Sequence, residues 1–219
     1  MDELNQISNT LALSMGAAWA SGINLYATLM MLGVLSATGN MTLPPELQIL
    51  ANPLVIGAAT LMFIVEFVAD KMPGVDTGWD SIHTFIRIPA GAMLAAGAVG
   101  DVNQAMTLSA AIVGGGLAAS SHAFKSGSRV MINTSPEPFS NWLVSVAEDI
   151  TVLGGIWLAV QNPVLFLVLL LFFIVLMVWL LPKLWKFIKI VFTTLGRLFK
   201  PSESPSPSQD KKIEPPSQQ

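Results

Sequence analysis

The chain alternates long apolar runs with short polar ones. No charged residue occurs between Glu3 and Glu46. Within that span, residues 13–37 are apolar enough for a first helix, ended by Gly39-Asn40, with Pro44-Pro45 in the following loop. Pro53 opens a second helix, expected over 53–70, with proline in the first turn where its missing N–H is tolerated. A polar stretch follows, and then helices over 79–99, closed by Gly100-Asp101, and over 105–124. A second polar loop covers 125–141, and helices over 142–160 and 164–181 flank Pro163. Runs of about 20 apolar residues cross a bilayer as helices, whereas barrel strands alternate in polarity. The pattern therefore predicts an all-α integral membrane protein of about six transmembrane helices.

Composition agrees. Of 219 residues, 53% are hydrophobic and 11% charged, against roughly 25% charged in a soluble domain. Cysteine is absent, which excludes a disulfide framework, a thiol nucleophile and a cysteine metal site. No Walker loop, His-Glu-x-x-His or nucleophile elbow occurs, so nothing marks an enzyme or a cofactor. Asp2 and Glu3 stand where a signal peptide would be basic, and no cleavage is expected.

Charge placement predicts orientation. All 11 Lys and Arg fall at one end of a six-helix arrangement, in the loops after the second and fourth helices and in the C-terminal part. By the positive-inside rule both termini are then cytoplasmic, in a plasma membrane. Three regions follow: a transmembrane bundle over 1–182, a basic amphipathic interfacial helix over 183–200, and a Pro/Ser/Gln-rich tail over 201–219 with no apolar face to bury. Lys183, Lys186, Lys189, Arg197 and Lys200, interleaved with Trp185 and Phe187, suit anionic lipid. No nucleic-acid partner is indicated, and oligomeric state is not legible.

Trp19, Trp79 and Trp142 each precede a helix-ending turn (Gly39, Gly100, Pro163) by about 20 residues. This weak repeat is compatible with three tandem helical hairpins. Chance alignment of small-residue membrane helices accounts for it equally.

The candidate site is a charged layer. Residues 53–65, 88–100 and 150–162 are the charge-free parts of the second, third and fifth helices, 13 residues each, and 13 residues rise only about 20 Å of the roughly 30 Å hydrocarbon. Glu66, Asp70, His83, Arg87, Glu148 and Asp149 must then lie at membrane depth and turn inward. Glu66/Asp70, His83/Arg87 and Lys125/Arg129 are i,i+4 pairs, each on one helix face, and His122 shares the face of Lys125. With Asp76, Asp80, Glu137 and Asn141 these residues make up the expected site. From Glu66 to Asp149, leaving out Asp101, seven acids face four cations, a balance that favours a cation or protons. The structural alternative is a self-satisfied network that only fixes helix packing. Asp76, Asp80 and His83 could ligate a metal; the plainer role for the two acids is to cap the following helix. The turns at Met72-Pro-Gly74 and Ser135-Pro-Glu-Pro138 are short and tight enough to be re-entrant.

The stretch from Val68 to Arg87, followed by Pro89-Ala-Gly91, resembles the signature of a bacterial membrane family called domain of unknown function 4126. His122, Lys125 to Arg129 and Asn133 to Trp142 are similar to its second signature. The resemblance spans about residues 10–182 and implies a multi-pass inner-membrane protein, without a substrate. Three function classes remain. The first is a small transporter or channel-like protein whose Glu66, Asp70 and His83 couple a cation or protons to a solute. The second is a lipid-phosphate-handling protein or enzyme using Arg87, Lys125 and Arg129. The third is a non-catalytic scaffold.

Overall fold

A computed structural model describes residues 2–72, 74–100, 103–133 and 138–198. Among these, regular structure is entirely helical: α1 (Asp2–Ile23), α2 (Leu25–Ala37), a 3₁₀ turn (Pro45–Ala51), α3 (Pro53–Ala69), α4 (Val75–Val99), α5 (Gln104–Asn133), α6 (Pro138–Gln161) and α7 (Pro163–Leu198).

The expected first helix over 13–37 is two helices. Asn24 adopts an extended conformation (φ −146°, ψ 99°) between them, and its side chain accepts from the Ala27 amide to cap α2. Asparagine competes for backbone hydrogen bonds in this way, which is why the run breaks at its one strongly polar residue. α2 then doubles back along the bundle. Asn9 and Thr10 of α1 share a cavity of about 330 Å³ with Asn40 and Met41, beyond α2, and with Ala98 and Val160. The start of α1 therefore lies at the same end as the close of α2, α4 and α6. Leu184 of α7 packs on Gly127 near the other end of α5. Within the bundle, the start of α1 and the Leu184 turn of α7 therefore lie at opposite ends, because Asn24 adds a reversal that a single helix over 13–37 would not make.

α1 is the central element because it is small on several faces. Ser14 donates to the Ala95 carbonyl of α4 (3.0 Å), and Ser121 of α5 donates to the Trp19 carbonyl of α1 (2.9 Å). A Cβ on Gly91 would meet Ser21 Oγ at 2.7 Å, and one on Gly155 would meet the Trp19 ring at 2.6 Å. Such contact distances are how membrane helices gain packing without a hydrophobic driving force. α4 and α5 form an antiparallel hairpin, entered by Gly100 at φ 70°.

Among the described residues, three helical stretches are long and apolar enough to cross a membrane: Val75–Val99, Phe139–Gln161 and Pro163–Phe187. The 3₁₀ turn and α3, bent by 68° at Asn52, make a fourth if counted together. The apolar helices mark a membrane-embedded protein, and bulky side chains such as Leu54, Phe85, Phe172 and Val178 point outward. Among the described residues the expected six spans are not confirmed. α2 has only 13 residues, and α5 is long but diluted by glycine, serine and the charged positions of its second half.

Two further boundaries differ from expectation. Lys125 to Asn133 continue α5 instead of forming a loop, and α7 runs through Pro182 into the basic stretch without a break. The three repeat tryptophans occupy unlike settings: Trp19 is buried, Trp79 stacks on His83, and Trp142 is exposed. Residues 134–137, with Glu137 and most of the second tight turn, and the tail 201–219 lie outside the described residues.

The reversal at Asn24 is directly testable, because the chain has no native cysteine. In sealed, oriented vesicles, Ser8→Cys and Asn40→Cys should react with an impermeant maleimide from one side, and Met72→Cys from the other only. Reaction of Ser8→Cys and Met72→Cys from the same side would refute the hairpin.

Candidate functional site

Helical spacing brings the polar residues inward. Asp76, Asp80, His83 and Arg87 recur along one face of α4, and all are buried. His122, Lys125 and Arg129 do the same on α5, and Asn141 and Ser145 on α6. Glu66 closes α3, and Asp70 is its C-cap. Where these faces converge, the helices lay down a network of seven charges.

Two arginines act as clamps. Arg87, fully buried, reaches Glu66 at 2.6 Å and Asp80 at 3.0 Å. Arg129 reaches Glu148 at 2.6 Å and Asp70 at 3.4 Å, and also donates to the Asp70 carbonyl and to Asn141 Oδ1. Lys125 stands between the two clamped pairs. Its Nζ lies 2.7 Å from Asp70, 3.3 Å from Glu66, 3.8 Å from Asp80 and 3.9 Å from Glu148. Four carboxylates thus face three cations. Buried charges at this density persist only when paired and hydrogen-bonded. Even so, among the described residues Glu66 Oε2, Asp70 Oδ1 and Asp80 Oδ2 have no hydrogen-bond partner, nor does Asp149 Oδ2 nearby.

Both histidines flank the network in defined tautomers. Arg87 lies 3.2 Å from His122 Nδ1, and a guanidinium can only donate, so Nδ1 accepts. The His122 proton is then on Nε2, 2.7 Å from Thr84 Oγ1. His83 Nδ1 donates to the Trp79 carbonyl at 2.8 Å, and its Nε2 shares a hydrogen bond with the Tyr26 hydroxyl at 3.1 Å. Asn24, at the α1–α2 break, donates to Asp149 at 2.9 Å. The tip of the α1–α2 hairpin therefore touches the charged layer through both Asn24 and Tyr26.

The structure brings together most of the expected site: Glu66, Asp70, Asp80, Arg87, His122, Lys125, Arg129, Asn141 and Glu148 form one connected network. It separates the expected metal trio. Asp76 accepts from the Gly74 and Thr77 amides, Asp80 is held by Arg87, and His83 faces Tyr26. Among the described residues, no three His, Asp or Glu side chains are grouped to hold a metal. Sequence reasoning missed Asn24, Tyr26 and Thr84. The available signals were slight: a lone amide in an apolar run, and the one tyrosine of the chain.

Fold and site together define a membrane-embedded helical bundle built around a buried ion-pair network. The chain belongs to the family described as Domain of unknown function (DUF4126), whose model matches residues 11–183. No curated protein and no solved structure matches it.

Asp70 and Arg129 offer the cleanest test of the network. Asp70→Asn or Arg129→Gln alone should destabilise the detergent-solubilised protein by about 3–5 kcal/mol, the range for stranding one partner of a buried pair. The double variant should lose less than the sum, read as thermal unfolding midpoints in one cycle. Additive losses each below about 1 kcal/mol would mean that the two charges face water separately.

Proposed function

We propose that the protein is a small transporter whose charged layer handles a cation, or couples protons to the movement of a solute. One observation carries this reading: four carboxylates, three of them buried and Glu148 partly so, share three buried cations, so the network holds a surplus negative charge in a low-dielectric interior. A purely structural network needs no such surplus. A mobile cation or proton supplies the missing charge. Helix breaks at membrane depth that line a polar site are the usual architecture of transporters, and Asn24 is one. The lipid-phosphate reading is less well supported, because Arg87, Lys125 and Arg129 are each already bound by carboxylates.

The same reading includes a topology in a bacterial inner membrane. Lys71, Arg87, Lys125, Arg129 and the lysines of α7 lie toward the charged end, which the positive-inside rule makes cytoplasmic. α3 to α7 cross the membrane five times, and α1–α2 is a re-entrant hairpin entering from the opposite face. Asp2 and Glu3 are then outside and the C-terminus inside. Lys183, Lys186 and Lys189 meet anionic headgroups on the cytoplasmic leaflet, two of them over the Trp179 and Trp185 rings.

Flux in proteoliposomes tests the transport reading. With a pH-sensitive dye inside, an imposed sodium or potassium gradient should drive proton movement, and Glu66→Gln should abolish it. A folded wild-type protein that moves neither protons nor cations above empty liposomes would sink the proposal. The lipid contact has its own measurement. Each basic residue near an anionic surface contributes about 1 kcal/mol, so replacing Lys183, Lys186 and Lys189 with alanine should reduce co-purified anionic lipid several-fold. Unchanged lipid retention would remove this partner.

A further inference from the structure

We propose that Asp149 is a proton-binding site beside the charged network: its carboxyl holds a proton against the Asn24 amide and, on losing it, draws the Lys71 ammonium over from Ser145. This goes beyond the proposed function, because Asp149 stands outside the seven charges and its proton does not depend on what they bind.

Asp149 is the buried acid that the ion pairs leave out. Glu66, Asp70, Asp80 and Glu148 each have a lysine or arginine nitrogen at 2.6–3.0 Å. Among the described residues, Asp149 has no such partner, although it is only 5% exposed. Its hydrogen bond comes from a neutral group, Asn24 Nδ2 to Oδ1 at 2.9 Å, and its Oδ2 has none. An unpaired carboxylate in an apolar interior costs far more than the neutral acid. The surrounding helices supply no free cation to change this. α1 and α2 carry no charge, since none occurs between Glu3 and Glu46, and α7 carries none before Lys183. The titratable group of α2, Tyr26, is turned to His83. Lys125 of α5 faces Asp149 but is taken up by Asp70 at 2.7 Å and Glu66 at 3.3 Å. Glu148, next along α6, is held by Arg129. The end of α3 contributes Asp70, a like charge, and Lys71. A proton on Asp149 keeps the ionised acids of this layer at four.

Lys71 is placed to replace that proton. Among the described residues it makes no ion pair. Its Nζ donates to the Phe67 carbonyl at 3.0 Å, lies over the Phe67 ring, and is 3.4 Å from Ser145 Oγ. Ser145 and Asp149 are one turn apart on the same face of α6, within the swing of a flexible lysine stem. Lys71 is half-buried and Met72 beside it is exposed, so a proton released here passes to water. Dissociation leaves one carboxylate and the unchanged ammonium, which pair with each other. The Asn24 side chain that holds the acid also caps α2 through the Ala27 amide, so the exchange is felt at the hairpin tip.

Infrared spectroscopy reads the proton directly. The full chain, made with isotope-labelled aspartate and reconstituted in lipid, is titrated with base from neutral pH. Wild-type protein should show an aspartic-acid carbonyl band that disappears as pH rises and is absent from Asp149→Asn. Without its counter-ion the ionised form is disfavoured. In Lys71→Met, or Lys71→Gln as a second neutral variant, the midpoint should therefore rise by at least about one pH unit, a tenfold change in proton affinity. Lys71→Arg should bring it back toward wild type. No aspartic-acid band, or a band unchanged in Asp149→Asn, overturns the proton site. So does an Asp149→Asn protein that fails to fold, because asparagine copies the shape and neutrality of the protonated acid. A midpoint unmoved in both neutral Lys71 variants overturns the exchange. None of these readings requires flux, so failure of this site and failure of transport are told apart.

Discussion

Seven charges meet inside this bundle, six of them out of water, and that constraint governs the rest of the structure. A buried ion is tolerated only where partners and hydrogen bonds replace its hydration. Glu66, Asp70, Asp80, Arg87, Lys125, Arg129 and Glu148 come from four helices, so α3 to α6 must converge at one level and in one rotational setting. A rotation of α4 would carry Arg87 and Asp80 away together and take from Glu66 of α3 its closest cation. The network therefore specifies helix register in a bundle whose apolar surfaces, packed against equally apolar lipid, specify it poorly.

Convergence of this kind needs helices that approach closely, and α1 provides the room. Its buried stretch is mostly glycine, alanine and serine, and the facing positions Gly91, Gly114 and Ala118 are equally small. Serine hydroxyls take backbone carbonyls of α4 and α1 as partners, so the close packing is also satisfied in hydrogen bonding. The tip between α1 and α2 brings Asn24 and Tyr26 to the edge of the charged layer. Any movement of the hairpin tip would be felt at Asp149 and His83, which ties the least regular part of the backbone to the most highly charged part of the interior.

Much of this was open to reading from residue order. Charge-free runs of 13 residues were too short to keep Glu66, Arg87 and Glu148 off apolar helices, and these side chains do turn into the bundle. Period 3.6 put Glu66 with Asp70, and Lys125 with Arg129, on shared faces. Local periodicity carries no information about the rotation of one helix against another. It left open whether Lys125 would meet Glu66, Asp70 or neither, and it grouped Asp76, Asp80 and His83 as metal candidates although each finds a different partner.

The sequence by itself determined the class of protein, the sign of the charged layer, and the faces on which the charges lie. All of these follow from composition, length and helical period. Only the tertiary structure decided that two arginines clamp paired carboxylates around one lysine, since side chains 55–59 residues apart meet there. It also decided that the first apolar run turns back at Asn24. Apolar length is equally compatible with one spanning helix or two half-length ones. The choice is made by the capping bond of Asn24 to Ala27, the reach of the same side chain to Asp149, and the close packing of α1 on four neighbouring helices.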